Sequence, residues 1–338
     1  MDLAFLWFWI IGFFFIGYFV LDGFDFGVGM SLPFLAKDDV GRRQIINTIG
    51  PVWDLNETWL IVAGACLFAA FPEWYATLFS GFYLPLLLIL LALIARGVSF
   101  EYRHQRDGLR WKRSFDTMIV VGSAVPAFLW GVAFANIVQG VPIDADMEFT
   151  GSLLTLLNPY GLLGGATTLL LFFVHGVTFV ALKTDGPVHE KARRLATRAG
   201  VLAVAVAAVF VLWTVSAHFS LPVLALGAVA AVCLIASVLA NARDREGRAF
   251  AFGAVTIVAA VAMLFFALFP NVMPSSTDPA FNLTIENASS TDYTLSIMSW
   301  AALIFLPLVL AYQGWTYWVF RRRVMRSHIE LAAESAAH

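Results

Sequence analysis

Nine apolar stretches of eighteen or more residues, near 5–33, 51–71, 78–97, 116–139, 159–182, 199–217, 222–241, 249–269 and 295–320, fill most of this 338-residue sequence. A chain in hydrocarbon must satisfy its own backbone N–H and C=O groups, and about 20 apolar residues is the length of a helix that spans a bilayer. The fold expected is an all-α polytopic membrane protein with nine transmembrane helices. The composition agrees: 60% of residues are hydrophobic, 13% are charged and the mean hydropathy is +0.80, whereas soluble domains carry about 25% charged residues.

The basic residues set the orientation. All 21 Lys and Arg residues fall around 37–43, 96–113, 183–198, 243–248 and 321–326, and the alternate connections at 72–77, 140–157, 217–221 and 270–293 hold none. By the positive-inside rule the N-terminus lies outside and the C-terminus in the cytoplasm. The outer connections carry Asp144, Asp146, Glu148, Asp278, Glu286 and Asp292 instead. A net charge of −2 suggests no nucleic-acid partner, and anionic lipid headgroups suffice to explain the basic loops.

Asp2 is followed by an apolar run and the first lysine is Lys37, so there is no basic segment of the kind that opens a signal peptide. The first span is expected to remain in the mature protein. Cys66 and Cys233 fall inside spans, where they read as small apolar packing residues rather than a disulfide. The longest connection, about 270–293 with Pro270, Pro274 and Pro279, is too short for a second folded unit. Residues 1–338 are therefore expected to form a single transmembrane domain. The glycosylation patterns at Asn282 and Asn287 would carry no meaning in a bacterial protein.

Asp22 and Asp25 lie in one apolar span, and Asp54 and Glu57 lie in the next. An ionisable group at the centre of a membrane helix costs roughly 2.5–3.5 kcal/mol, so such groups are candidates for proton or ion pathways. Spacing of three residues puts each pair on neighbouring positions of one helix face. The topology puts both pairs in the cytoplasmic half of the bilayer, placed to face each other. A proton relay is one reading. The other is that these are helix-end residues satisfied by headgroups, by water, or by Arg42, Arg43 and Arg96. Asp54, just after Pro51, is also favoured by the dipole at a helix start.

Gly23 and Gly27 form a G-x-x-x-G strip, extended by Gly29, that serves either packing within the chain or a subunit interface. Trp53 sits near the inner boundary, where aromatic residues gather, and Trp59 lies deeper. His175 is the one histidine deep in a span and is expected to be a hydrogen-bonded packing residue rather than an axial haem ligand. No C-x-x-C-H, H-E-x-x-H, Walker, flavin or nicotinamide motif is present. By itself the chain is not equipped for redox chemistry.

The blocks GFDFGVG, GPVWDLNETWL, ARGVSFEYR, HGVTFVALKTDG and FPNVMPSS, in this order from about residue 20 to 300, resemble the signatures of subunit II of the cytochrome bd-type quinol oxidases. Two positions depart from the usual pattern, Leu55 in place of Gly and Thr58 in place of Val, while Asp54, Asn56, Glu57 and Trp59 keep it. The resemblance implies two four-helix bundles plus a peripheral helix, in the bacterial cytoplasmic (inner) membrane. It implies a heterodimer with a larger subunit I that carries b- and d-type haems and the quinol site. This chain would bind no haem or metal and would not be catalytic alone, though the complex is a quinol:oxygen oxidoreductase.

Asp54 matches the family position proposed to pass protons. Glu57, Asp25 and Asp22 would join that pathway or serve structure, with Trp53 and Asn56 in support. Trp59 matches a position proposed to line oxygen entry from the lipid. A small third subunit and a structural quinone in a lipid-facing groove stay open. So do two readings from other classes, a proton-coupled secondary transporter and a purely structural partner subunit.

Overall fold

The computed structural model describes residues 2–335. Thirteen helices follow one another: α1 (Leu3–Leu35), α2 (Asp39–Ile49), α3 (Trp53–Ala70), α4 (Pro72–Gly81), α5 (Tyr83–Tyr102), α6 (Leu109–Gln139), α7 (Leu153–Leu156), α8 (Pro159–Lys183), α9 (Gly186–Ala217), α10 (Leu221–Ala242), α11 (Glu246–Leu268), α12 (Asp292–Val319) and α13 (Arg326–Ser335). Among the described residues, eight of these are long and apolar enough to cross a membrane alone. The pair α2 and α3, bent by 46°, is long and apolar enough only when taken together, and brings the number to nine if it is one broken span. The bend falls at Gly50-Pro51-Val52: Gly50 keeps helical angles, Pro51 has no N–H to continue the ladder of α2, and Val52 leaves helical geometry before α3 begins.

Helix boundaries depart from the apolar stretches in two instructive places. The expected span at 78–97 is not one helix: Pro72 opens α4 and the chain breaks at Phe82 before α5 runs on to Tyr102. The expected span at 199–217 begins much earlier, at Gly186. Its first turns are polar and carry the Glu190–Arg194 pair at 3.1 Å, which supports a helix outside hydrocarbon but leaves no hydropathy signal.

α1, α3, α5 and α6 form one set of spanning helices and α8 to α11 a second, with α1 and α6 both packed on α8. α1 is the centre, and buries Trp7, Phe8, Tyr18, Phe24 and Phe26 almost completely. Its glycine strip explains how. A Cβ added at Gly27 would lie 2.0 Å from the Phe172 carbonyl oxygen, and one at Gly176 would lie 2.4 Å from Gly27 Cα. The backbones of α1 and α8 therefore touch. A Cβ at Gly23 would meet Phe172 at 2.8 Å, and one at Gly29 would meet Ser123 Oγ of α6 at 2.1 Å. The strip serves packing within the chain, which resolves the alternative left by its spacing.

α12 is peripheral and buries only Leu295, Gln313 and Thr316. At one end Trp7 Nε1 donates to Leu295 O at 3.2 Å and to Ser299 Oγ at 3.0 Å. At the other end Gln313 and Tyr317 bond to α3. The chain beyond is tied to α8 and α2, because Lys183 Nζ donates to the carbonyls of Phe320 and Arg322 and Gln44 Nε2 donates to Val324 O at 2.9 Å.

The connections gather at two ends. Arg42 and Arg103 both pair with Asp116 at 2.6 Å, Arg193 pairs with Asp244, and Arg326 pairs with Asp38 at 2.8 Å, so the basic stretches share one end. At the opposite end, strand β1 (Asn271–Met273) pairs antiparallel with β2 (Leu283–Thr284), Val141 bridges to Ser275, and Ser290 N donates to Ala70 O at 2.8 Å.

Candidate functional site

The four membrane carboxylates divide into three environments. Asp22 is fully buried on α1 and its Oδ1 accepts from Arg96 Nη2 of α5 at 2.6 Å. The same nitrogen reaches Glu57 Oε2 of α3 at 3.3 Å. Arg96 has no exposed surface, and its guanidinium lies 4.4 Å from the centroid of the Phe26 ring, a cation–π contact. One cation thus joins three helices through two acids. Asp22 Oδ2, Arg96 Nε and Arg96 Nη1 make no hydrogen bond within the chain, which leaves capacity to bind water, as buried polar groups require.

Asp25, also fully buried, turns away from Arg96 to accept from Asn56 Nδ2 at 2.7 Å. Asn56 Oδ1 accepts from Tyr317 OH at 2.7 Å and from Gln313 Nε2 at 3.1 Å, and Gln313 Oε1 accepts from Trp59 Nε1 at 3.2 Å. Asp54 makes no hydrogen bond to either group and is exposed on α3, though near enough to Arg96 and Glu57 for their charges to interact. Glu101, exposed near the end of α5, is close enough for the two charges to interact. The packing of Trp53 on Phe100, with ring centroids 5.1 Å apart, brings these helix ends together.

Trp59 is buried, with its ring edge-on to Phe13 at 5.7 Å and Phe14 at 6.2 Å. Gly17 makes the room, since a Cβ there would fall 2.1 Å from the indole. Beside Trp59 an apolar cavity of about 310 Å³ lies between α1, α3 and α12, lined among others by Phe14, Cys66, Met298, Leu306 and Gln313. Leu55 and Thr58, the two departures from the family pattern, also line it.

His175 is packed face to face on Phe250, with centroids 4.4 Å apart. It is buried as a packing residue, and the Val20 backbone is the polar group nearest its ring nitrogens, which make no well-formed hydrogen bond within the chain. A Cβ at Gly253 would sit 2.9 Å from Nδ1, so the backbone of α11 closes over that nitrogen. Among the described residues no group of three or more His, Cys, Asp or Glu is placed to hold a metal ion.

Asp22 and Glu57 therefore meet as expected, though only through Arg96. Asp25 joins Asn56 instead, and Asp54 joins neither. Sequence reasoning named Arg96 only as a competing partner and missed Glu101, Gln313 and Tyr317. Arg96 at the end of one apolar run and Gln313 inside another were the available signals.

Residues 3–320 match the family described as cytochrome bd terminal oxidase subunit II. The chain is similar to cytochrome bd ubiquinol oxidase subunit 2 of Bacillus subtilis (strain 168), 43% identical over 333 residues that cover 96% of this chain and 97% of that one. It is also similar to cytochrome bd-I ubiquinol oxidase subunit 2 of Escherichia coli (strain K12), 36% identical over 366 residues that cover 97% of each. Its fold matches a chain of bd oxidase from Geobacillus thermodenitrificans with a TM-score of 0.76 at 16% identity, covering 95% of this chain and 99% of that one. With the family signature running through every spanning helix, the chain belongs to the cytochrome bd terminal oxidase subunit II family.

Proposed function

We propose that this chain is the haem-free subunit of its oxidase and gives the haem-bearing subunit I a cytoplasmic proton path and a route for oxygen. As a member of the family it is a multi-pass protein of the bacterial inner membrane and part of an enzyme complex, a quinol:oxygen oxidoreductase. We read residues 1–338 as one membrane domain, supported by the packing of α1 against both helix sets.

The observation that carries the proton reading is the graded burial of the acids near the basic end. Glu101 and Asp54 are exposed, Glu57 is half-buried, and Asp22 and Asp25 are fully enclosed. Asp54 presents its carboxylate on a face that the chain's own helices leave uncovered, which suits delivery across a subunit boundary. Carboxylates can accept and release protons within one turnover, and a positioned one is worth orders of magnitude in rate. Asp54→Asn is expected to slow quinol-dependent oxygen consumption by at least about tenfold, with haem content of the complex retained in its optical spectrum. Full turnover in that variant would remove Asp54 from the path.

The cavity beside Trp59 supports the oxygen reading, since its walls are apolar and it lies against the outermost helix. Trp59→Ala enlarges it and removes the indole donor to Gln313. The apparent oxygen affinity of the assembled complex is expected to change several-fold, measured by oxygen consumption at falling oxygen concentration. Unaltered oxygen kinetics would count against this route.

One observation favours a structural role for part of the set. Asp22 and Glu57 are both engaged by Arg96, so these two acids hold helices together whatever else they do.

A further inference from the structure

Trp59, Gln313, Asn56 and Asp25 form one hydrogen-bonded file across α3, α12 and α1, and chemistry fixes its direction. An indole N–H can only donate. It donates to Gln313 Oε1, which turns the Gln313 amide nitrogen toward Asn56 Oδ1, which in turn aims Asn56 Nδ2 at Asp25 Oδ2. Tyr317 OH adds a second donor on Asn56 Oδ1 at 2.7 Å. Turned over, the Asn56 amide would oppose the Gln313 NH₂ with its own, lose the Tyr317 donor, and withdraw its nitrogen from Asp25 Oδ2 and from the Leu21 carbonyl, which that nitrogen reaches at 3.4 Å. All members of the file except Tyr317 are buried, and Tyr317 is half-buried. Both donors come from α12, a helix that otherwise presents almost nothing to the rest of the chain.

We propose that Gln313 and Tyr317 are positioning residues for Asp25, holding the Asn56 amide in the one orientation that donates to its carboxylate. This rests on the reading of Asp25 as a proton-path group. Asp25 Oδ1 makes no hydrogen bond within the chain, so the clamp on Oδ2 assigns the two oxygens separate tasks. Oδ2 is anchored by Asn56, and Oδ1 is the atom that takes and gives up the proton. The charged and titratable groups that face Asp25 are Asp22 on its own helix, Glu57 on α3, Arg96 on α5 and Tyr317 on α12.

The test uses the assembled oxidase carrying Tyr317→Phe, Gln313→Met or Asp25→Asn, with haem content, turnover and the pH profile of quinol-dependent oxygen consumption measured for each. Tyr317→Phe is expected to lower turnover about three- to tenfold, the factor that one hydrogen bond sets, and to displace the pH profile from that of the parent. Gln313→Met is expected to do at least as much. Parent-like turnover in Tyr317→Phe, or lowered turnover on the parent pH profile, overturns the proposal while an impaired Asp25→Asn leaves the proton reading standing. Parent turnover and profile in Asp25→Asn overturn both. Should Gln313→Met fail to assemble, Tyr317→Phe decides, because it removes a single oxygen at a half-buried position.

Discussion

Replacing Arg96 by methionine is expected to abolish accumulation of the assembled subunit in the membrane. Arg96 has no exposed surface, sits 2.6 Å from one carboxylate and 3.3 Å from another, and is the one cation among three helices at this depth. Removing one partner of a buried ion pair costs about 3–5 kcal/mol, because a charge is left without compensation. Here two acids lose it together, and about 5–15 kcal/mol is the whole stability of a typical folded domain. Replacing an entire buried ionic group by neutral residues of similar volume is by contrast near neutral. The triple variant Arg96→Met, Asp22→Asn, Glu57→Gln is therefore expected to recover much of the yield. Membrane yield and thermal unfolding of the purified complex check both, and parent-like yield of Arg96→Met alone would show that the triad does not hold the helices.

Gly27→Ala is the second large effect. The added Cβ would be 2.0 Å from a backbone oxygen and 2.7 Å from Gly176 Cα, and neither atom can swing aside as a side chain does. The helices must separate, and the contacts beside the crossing go with them. These include Phe24 on Phe179 with centroids 4.3 Å apart, Phe19 on Phe172 at 5.6 Å and Phe26 on Phe172 at 6.1 Å. Overpacking a core costs about 1–3 kcal/mol where side chains can adjust. Two opposed backbones put this substitution at the top of that range or above, visible as a large loss of thermal stability. Gly64→Ala, with nothing within 4 Å, is the matched control and should leave stability unchanged.

The spanning helices were legible because hydrocarbon leaves the backbone few other choices. Their polar ends were not, as the first turns of α9 show: Gly186–Arg198 is helical for reasons that hydropathy does not register. The acids of the site were equally visible, but their partners were not. Residues three apart on a helix are turned by about 60° from each other, enough for Glu57 to face Arg96 while Asp54 faces outward. Nothing local announces which of the two turns in. Asn56 meets Gln313 across 257 residues and Tyr317 across 261, and a single sequence holds no record of such a pairing. The glycine strip was readable as a place of close approach, but only the position of Phe172 and Gly176 says that α8 is what approaches.

The two-ended attachment of α12 bears on how the protein is made. Trp7 belongs to the first helix synthesised and Ser299 to the last spanning one, 292 residues later. Until that last helix is inserted, the indole N–H of Trp7, the Trp59 indole and the Asn56 oxygen lack the partners they hold in the finished protein. Polar groups bared to hydrocarbon are costly. α12 supplies all of these partners together, so α1 and α3 complete their polar contacts only once it is in place.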